Sequence, residues 1–200
     1  MKKSQSEEVL KLIKRKGVLR PRDLDVPSIP RTYLQRLYQR GLVIKIGRGL
    51  YTLPGIRVTE HHTFAEAAKR VSTGILCLLS ALSFHGLTSQ APFEVWMVID
   101  RKSRLPKVDY PSIRFVRFSD KALTEGIEEH VIDGVQIKVY NAPKTVADCF
   151  KYRNKIGTDV ALEALRDCWS QRKCTMDEIW KYSRICRVEK VMKPYIQALL

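Results

Sequence analysis

The chain has 200 residues, 44% of them hydrophobic and 28% charged, enough apolar surface to bury a core and to exclude a disordered chain. Its 36 Lys and Arg against 21 Asp and Glu give a net charge of +15, which points to a polyanionic partner. The longest apolar stretch, 74–87, is interrupted by Ser80, Ser83 and His85 and falls short of the roughly 20 apolar residues of a bilayer span.

Ser4-Gln5-Ser6-Glu7 has the spacing of a capping box and predicts a first helix to about Lys16, burying Val9, Leu10 and Ile13, with Gly17 as its stop. A short extended piece, 18–20, leads to a brief helix from Pro21 through Leu24, and Pro27 and Pro30 fence the turn that follows. The next run, PRTYLQRLYQRGLVIKIGRGLYTL, is the most telling in the chain. Proline opens a third helix where its missing N–H costs nothing, and Gly41 can take the left-handed cap conformation. Residues 42–46 then form a β-branched strand, and Gly47-Arg48-Gly49 turns it into 50–53. A helix followed by a basic-tipped hairpin is the reading half of a winged helix-turn-helix.

At 100° per residue, the third helix turns Tyr33, Leu34, Leu37 and Gly41 to one side and Arg31, Thr32, Gln35, Arg36 and Gln39 to the other. This outer face carries no acid. Arg can pair bidentately with guanine and Gln with adenine in the major groove, and Thr can reach a base edge or a phosphate. Arg48 at the wing tip and Lys45 beside it suit the minor groove or phosphates, while Arg20 and Arg22 suit the backbone. Charge follows the same division: residues 1–60 hold 14 Lys and Arg against 5 acids, residues 61–150 hold 11 against 10, and residues 151–200 hold 11 against 6.

Pro54-Gly55 marks the expected boundary, giving a DNA-binding domain over 1–56 and a second domain over 57–200. The second part opens with helices at about 63–71 and 75–84, followed by strands at 95–99 and 113–118. A hairpin of 129–132 and 135–140 turns at Asp133-Gly134. Helices follow at about 142–152, from Thr158 to about Trp169, from the capping box Thr175-Met176-Asp177-Glu178 to Cys186, and from about Val188 with a bend or break at Pro194. The expected fold class is α+β: a winged helix-turn-helix, then a small, mostly antiparallel sheet with C-terminal helices.

Chemistry-bearing patterns are sparse. The five cysteines, Cys77, Cys149, Cys168, Cys174 and Cys186, show no CxxC spacing and no signal peptide stands ahead of them, so they read as reduced thiols in a cytoplasmic protein. His61, His62, His85 and His130 are too scattered for a zinc site, and His85 beside Gly86 reads as a helix-end residue whose ring satisfies carbonyls. No glycine-rich phosphate loop and no nucleotidyltransferase signature is present, so no metal, no cofactor and no catalysis are expected. Asp100-Arg101-Lys102 after an apolar strand superficially resembles half of a nuclease motif. Its nearest upstream acid, Glu94, lies six residues back on the same strand, roughly 20 Å away, too far to share a metal.

Three blocks carry a family resemblance: YLQRLYQRGLVIKIGRGLYTLP, LSALSFHGLT (79–88) and APKTVADCFKYRNKIGTDVALEALRD (142–167). In this order they resemble the AbiEi antitoxins of type IV toxin–antitoxin, or abortive infection, systems. The resemblance implies an antitoxin that binds inverted repeats in its own promoter as an autorepressor. It further implies a nucleotidyltransferase toxin as functional partner, counteracted without a stable complex. Arg48, Gly49 and Tyr51 match the wing motif, Tyr51 more as packing than as contact. Lys144, Asp148, Lys151 and Arg153 match the C-terminal block, whose basic members the family associates with antitoxin action, so Lys144, Lys151 and Arg153 are expected on a secondary basic surface. Asp148, with Lys144 at i−4 and Lys151 at i+3, reads equally well as a member of a surface ion pair. The lack of a long heptad predicts a monomer in solution, the inverted repeats that the resemblance implies predict two copies on duplex DNA, and the short apolar stretch predicts no membrane association. The rival readings are a protein-interaction module that sequesters a toxin directly, and a winged-helix nuclease.

Overall fold

The computed structural model describes residues 5–16, 19–25, 27–47, 49–54, 62–90, 94–108 and 111–199. The chain divides into two compact units. The first comprises Met1–Ser72, Lys107–Pro111 and His130–Ile137, and the second Thr73–Pro106, Ser112–Glu129 and Lys138–Leu200.

In the first unit, α1 (Gln5–Lys16) buries Val9 and Ile13, and a 3-10 turn over Pro21–Leu24 buries Leu24. That turn starts where the Arg20 N–H donates to Asp23 Oδ2 at 2.7 Å. Helix α2 (Thr32–Gln39) adds Leu34 and Leu37, and the core closes with Leu19, Ile29 and Val43. Val9, Ile13, Leu34 and Leu37 come from the apolar faces of their helices, and truncating a central one such as Leu37 to Ala should cost about 2–5 kcal/mol. Gly41 ends α2 at φ +69°, where its lack of a Cβ makes the left-handed turn accessible. The antiparallel wing of β1 (Ile44–Gly47) and β2 (Leu50–Thr52) follows, and Leu19 joins its edge through two backbone hydrogen bonds with Tyr51, at 2.9 and 3.0 Å.

Helix α3 (His62–Arg70) also belongs to the first unit, although the expected boundary at 56/57 left it to the second. Lys69 pairs with Asp23 at 2.9 Å, and His62 Nδ1 lies 2.9 Å from Asp133 Oδ2 in the hairpin turn.

A mixed sheet has five strands in the order β5 (Ile113–Phe118), β4 (Val95–Asp100), β3 (Ile75–Leu76), β7 (Val135–Tyr140) and β6 (Ile127–Ile132). Strand β3 pairs antiparallel with β4 and parallel with β7, and β4 runs parallel to β5. The structure corrects the expectation of one helix over 75–84. Ile75 and Leu76 form the central strand, and the helix, α4 (Leu78–His85), starts only after Cys77. A short, fully apolar run has no periodicity that separates a buried helix from a central strand, and pairing on both edges decides for the strand.

Helix α5 (Asp120–Thr124) is a short addition between strands. Helix α6 (Ala142–Lys151) begins as read, with Asn141 accepting the Lys144 N–H at 3.0 Å. It is buried from Ala142 through Phe150 and forms the centre of the second unit's core with α4, α8 (Thr158–Ser170), α9 (Met176–Ile185) and α10 (Glu189–Gln197). A single turn, α7 (Arg153–Ile156), links α6 to α8, and Pro194 lies inside α10. His85 behaves as a carbonyl-satisfying residue, its Nε2 lying 2.7 Å from the Tyr140 carbonyl.

Candidate nucleic-acid interface

The apolar residues of α2 fix what the helix shows outward. With Leu34 and Leu37 buried and Tyr33 partly buried, Thr32, Gln35, Arg36 and Gln39 are all exposed on the opposite side. Arg36 lies over the Tyr33 ring, 5.5 Å from its centroid, which restrains the guanidinium along the helix. Lys45 on β1 and Arg22 on the 3-10 turn are exposed as well. Arg48 lies outside the described residues. Tyr51 packs edge-to-face on Tyr38 with centroids 5.9 Å apart, a packing role.

Two members of the expected set have partners that helical geometry alone does not reveal. Arg31 forms a forked pair with Asp25, its Nη2 2.8 Å from Oδ2 and 3.0 Å from Oδ1. This bond raises the Arg31 pKa from its ordinary value. The face of α2 itself is free of acids, but a carboxylate from the preceding turn reaches the first guanidinium. Arg20 is half-buried, and burial, together with its neighbour Arg22 and with Arg70, lowers its pKa to about 10 against the opposing pull of Asp23. Its Nη2 is buried without a hydrogen-bond partner. It is a braced residue at the base of the module rather than an open surface cation.

The C-terminal block departs further from expectation. Lys144 is fully buried, so it is no part of a basic surface, and Asp148 is buried with it, so theirs is no surface ion pair. Lys144 Nζ lies 2.6 Å from Asp148 Oδ2, 4.1 Å from the Tyr140 ring centroid and 5.0 Å from that of Phe118. The second carboxylate oxygen accepts from Cys186 Sγ at 3.1 Å. Burial pushes the Asp148 carboxyl up from its ordinary value, with Lys144 pulling the other way. The sequence gives α6 an i, i+4 Lys–Asp pair, and only the aromatic and helical neighbours decide that it faces inward. Lys151 is exposed, its Nζ 5.6 Å from the Phe118 centroid, and Arg153 is partly exposed, donating from Nη1 to the Phe150 carbonyl at 2.9 Å.

Among the described residues no group of three or more His, Cys, Asp or Glu is placed to hold a metal ion. The acids weighed for a nuclease have other partners: Glu94 takes Arg114 Nε at 2.7 Å, and Asp100 takes the Lys102 N–H at 2.6 Å. Nor is any described helix long and apolar enough to cross a membrane.

An exposed, acid-free helix face beside a two-stranded wing is the arrangement of a winged helix-turn-helix, and comparison with known proteins agrees. Residues 7–54 match the family model described as "Transcriptional regulator, AbiEi antitoxin". The match covers the whole of α2 and the wing, so the resemblance read from the wing motif is found again there. The fold is also similar to the crystal structure of the RV2827C protein from Mycobacterium tuberculosis, with a TM-score of 0.60 at 14% identity, over 98% of this chain and 80% of that one. That likeness is one of fold. No curated protein matches the chain.

Proposed function

We propose that the protein is the antitoxin of a type IV toxin–antitoxin system and represses its own promoter by binding inverted repeats. The observation that carries this reading is the solvent-exposed set Thr32, Gln35, Arg36 and Gln39 on the helix of a module that matches the AbiEi regulators. Gln35 and Arg36 read base edges. Arg31 joins them when DNA phosphates or bases displace Asp25, and Thr32 and Gln39 flank the contact. Lys45, Arg48 and Arg22 hold the module on the backbone and set its register without reading sequence. Lys151 and Arg153 serve the antitoxin action on the second unit, and the functional partner is a nucleotidyltransferase toxin that the antitoxin counteracts without a stable complex. The protein acts in the cytoplasm, without catalysis or cofactor, as a monomer that pairs on its operator. The half-sites are spaced near one helical turn, roughly 34–36 Å, or a multiple of it.

A reporter driven by the DNA upstream of the gene tests this. Supplying the protein in trans should silence the reporter, and Arg36→Ala should restore expression while leaving the protein folded. Equal reporter output with and without the protein would overturn autorepression. Rescue of growth from a co-expressed nucleotidyltransferase toxin, with no co-purification of the two, separates the proposed role from direct sequestration.

A further inference from the structure

A cleft of about 990 Å³ opens in the second unit, and its rim gathers cations from four separate segments. Arg101 follows β4, Lys121 stands on α5, Lys151 and Arg153 lie at the junction of α6 and α7, and Arg184 and Arg187 end α9 and begin the turn after it. Against these six the lining holds one carboxylate, Asp120. Two exposed cations elsewhere in this unit lie on acids, Arg114 on Glu94 at 2.7 Å and Lys181 on Glu125 at 3.4 Å. Arg101, Lys121, Arg184 and Arg187 meet no described carboxylate. Like charges gathered around a hollow repel one another, and an anion in that hollow is what converts the repulsion into binding.

The rim is also held in place. Arg117 Nη1 donates to the carbonyls of Arg101 and Ser103 at 2.7 and 2.8 Å, fixing the loop that carries Arg101. Lys151 and Arg153 are braced on Phe118 and on the Phe150 carbonyl. Two non-glycine residues of the lining, Asp120 and Arg187, sit at φ +54° and +59°. Backbone strain of this kind persists where the surroundings over-determine it, and it concentrates at ligand sites.

From this geometry we propose that the cleft binds single-stranded nucleic acid through the phosphates of a short segment, independently of the duplex site on α2. A duplex presents its phosphates on a stiff, convex cylinder, which suits a projecting helix and wing. A single strand is flexible enough to enter a hollow and meet cations on several sides. Among the described residues the lining includes no aromatic ring, so stacking contributes little and binding is sequence-independent. The inference goes beyond the reading of the protein as a promoter-binding antitoxin and does not depend on it.

Fluorescence anisotropy with the full chain tests the proposal, using labelled 12-nucleotide oligo-U and oligo-dT and a labelled duplex of mixed sequence. For five or six phosphate contacts, at about −0.7 per contact, single-strand affinity should fall with a log–log salt slope of about −3.5 to −4.2. R184E/R187E should weaken oligo-U or oligo-dT binding at least tenfold and change duplex binding less than twofold. Arg36→Glu should do the reverse. R184K/R187K should keep strand binding. R101Q/K121Q, which removes charge without reversing it, should weaken it several-fold. Thermal melts of each variant confirm that the chain is folded. Preference for RNA or DNA identifies the strand the cleft takes, and either supports the proposal. It is overturned if R184E/R187E binds both strands as well as the unaltered chain does. It is equally overturned if strand and duplex binding fall together, or if inorganic triphosphate displaces the strand at micromolar concentration, which would mark a small-ligand site. Loss of promoter binding in Arg36→Glu with strand binding intact would leave the two readings to stand or fall separately.

Discussion

Helices α2 and α6 put similar side chains to opposite use. In α2, Leu34 and Leu37 turn inward and every long polar side chain faces solvent. In α6, Ala142 through Phe150 are buried together, Lys144 and Asp148 among them, and the ammonium is enclosed by one carboxylate, itself bonded to a thiol, and two aromatic faces. A lysine in a basic chain is therefore no guide to where a polyanion binds. What matters is whether the helix has one neighbour, as α2 has on its core side, or neighbours all round, as α6 has in the middle of its unit.

The sharpest way to break this contrast is to remove one partner of the buried pair. Asp148→Ala leaves a charged lysine in the core, and it should cost about 3–5 kcal/mol in urea denaturation. The double change Lys144→Met with Asp148→Leu should recover most of that loss, because two apolar side chains of similar size need no compensation. If Asp148→Ala costs less than 1 kcal/mol, the pair is solvated and the contrast with α2 disappears.

On the exposed helix the same kind of truncation should spare stability and reduce recognition. Gln35→Ala or Arg36→Ala should lower affinity for the operator by about 1–3 kcal/mol and relax sequence preference, while Arg48→Ala should weaken all duplexes alike. A shift assay at fixed salt reads both. Unaltered operator affinity in all three would remove α2 and the wing as the reading surface.

Gly41→Ala tests the joint between helix and wing. Its Cβ would meet open space, so the penalty comes from φ +69° alone, about 1–2 kcal/mol of stability. The smallest expected effect is that of Asp25→Ala. The Arg31–Asp25 pair is exposed and screened by solvent, so it adds little to the fold. Freeing Arg31 should leave the melting temperature nearly unchanged and raise DNA affinity a few-fold. A fall in affinity would mean that the paired geometry of Arg31 is the one that DNA needs.

Much of the fold was legible because local chemistry specified it. Gly41 supplies the helix stop, Asp133-Gly134 the hairpin turn, and Thr175 with Glu178 a reciprocal cap in which the Thr175 N–H donates to Glu178 Oε2 at 2.8 Å. The strand 113–118 was bounded correctly from its composition alone. What escaped depends on contacts distant in sequence. Ile75 and Leu76 are a strand because β4 and β7 lie on either side. Arg31 is paired because the turn before α2 brings Asp25 back to it. Lys144 is buried because Phe118, Tyr140 and Cys186 arrive from other elements. The cleft in the second unit collects six cations from segments spread over residues 101–187, and no linear window brings them together.

The central claim is that the winged module reads the protein's own promoter. Anisotropy of the full chain on a labelled duplex from the DNA preceding its gene, against a scrambled duplex of equal length, tests it most directly when paired with sedimentation of the free and bound protein. The account predicts at least tenfold preference for the promoter at fixed salt, a monomer without DNA and two copies on each operator at saturation. Equal affinity for promoter and scrambled duplex, or saturation at one copy, would contradict it.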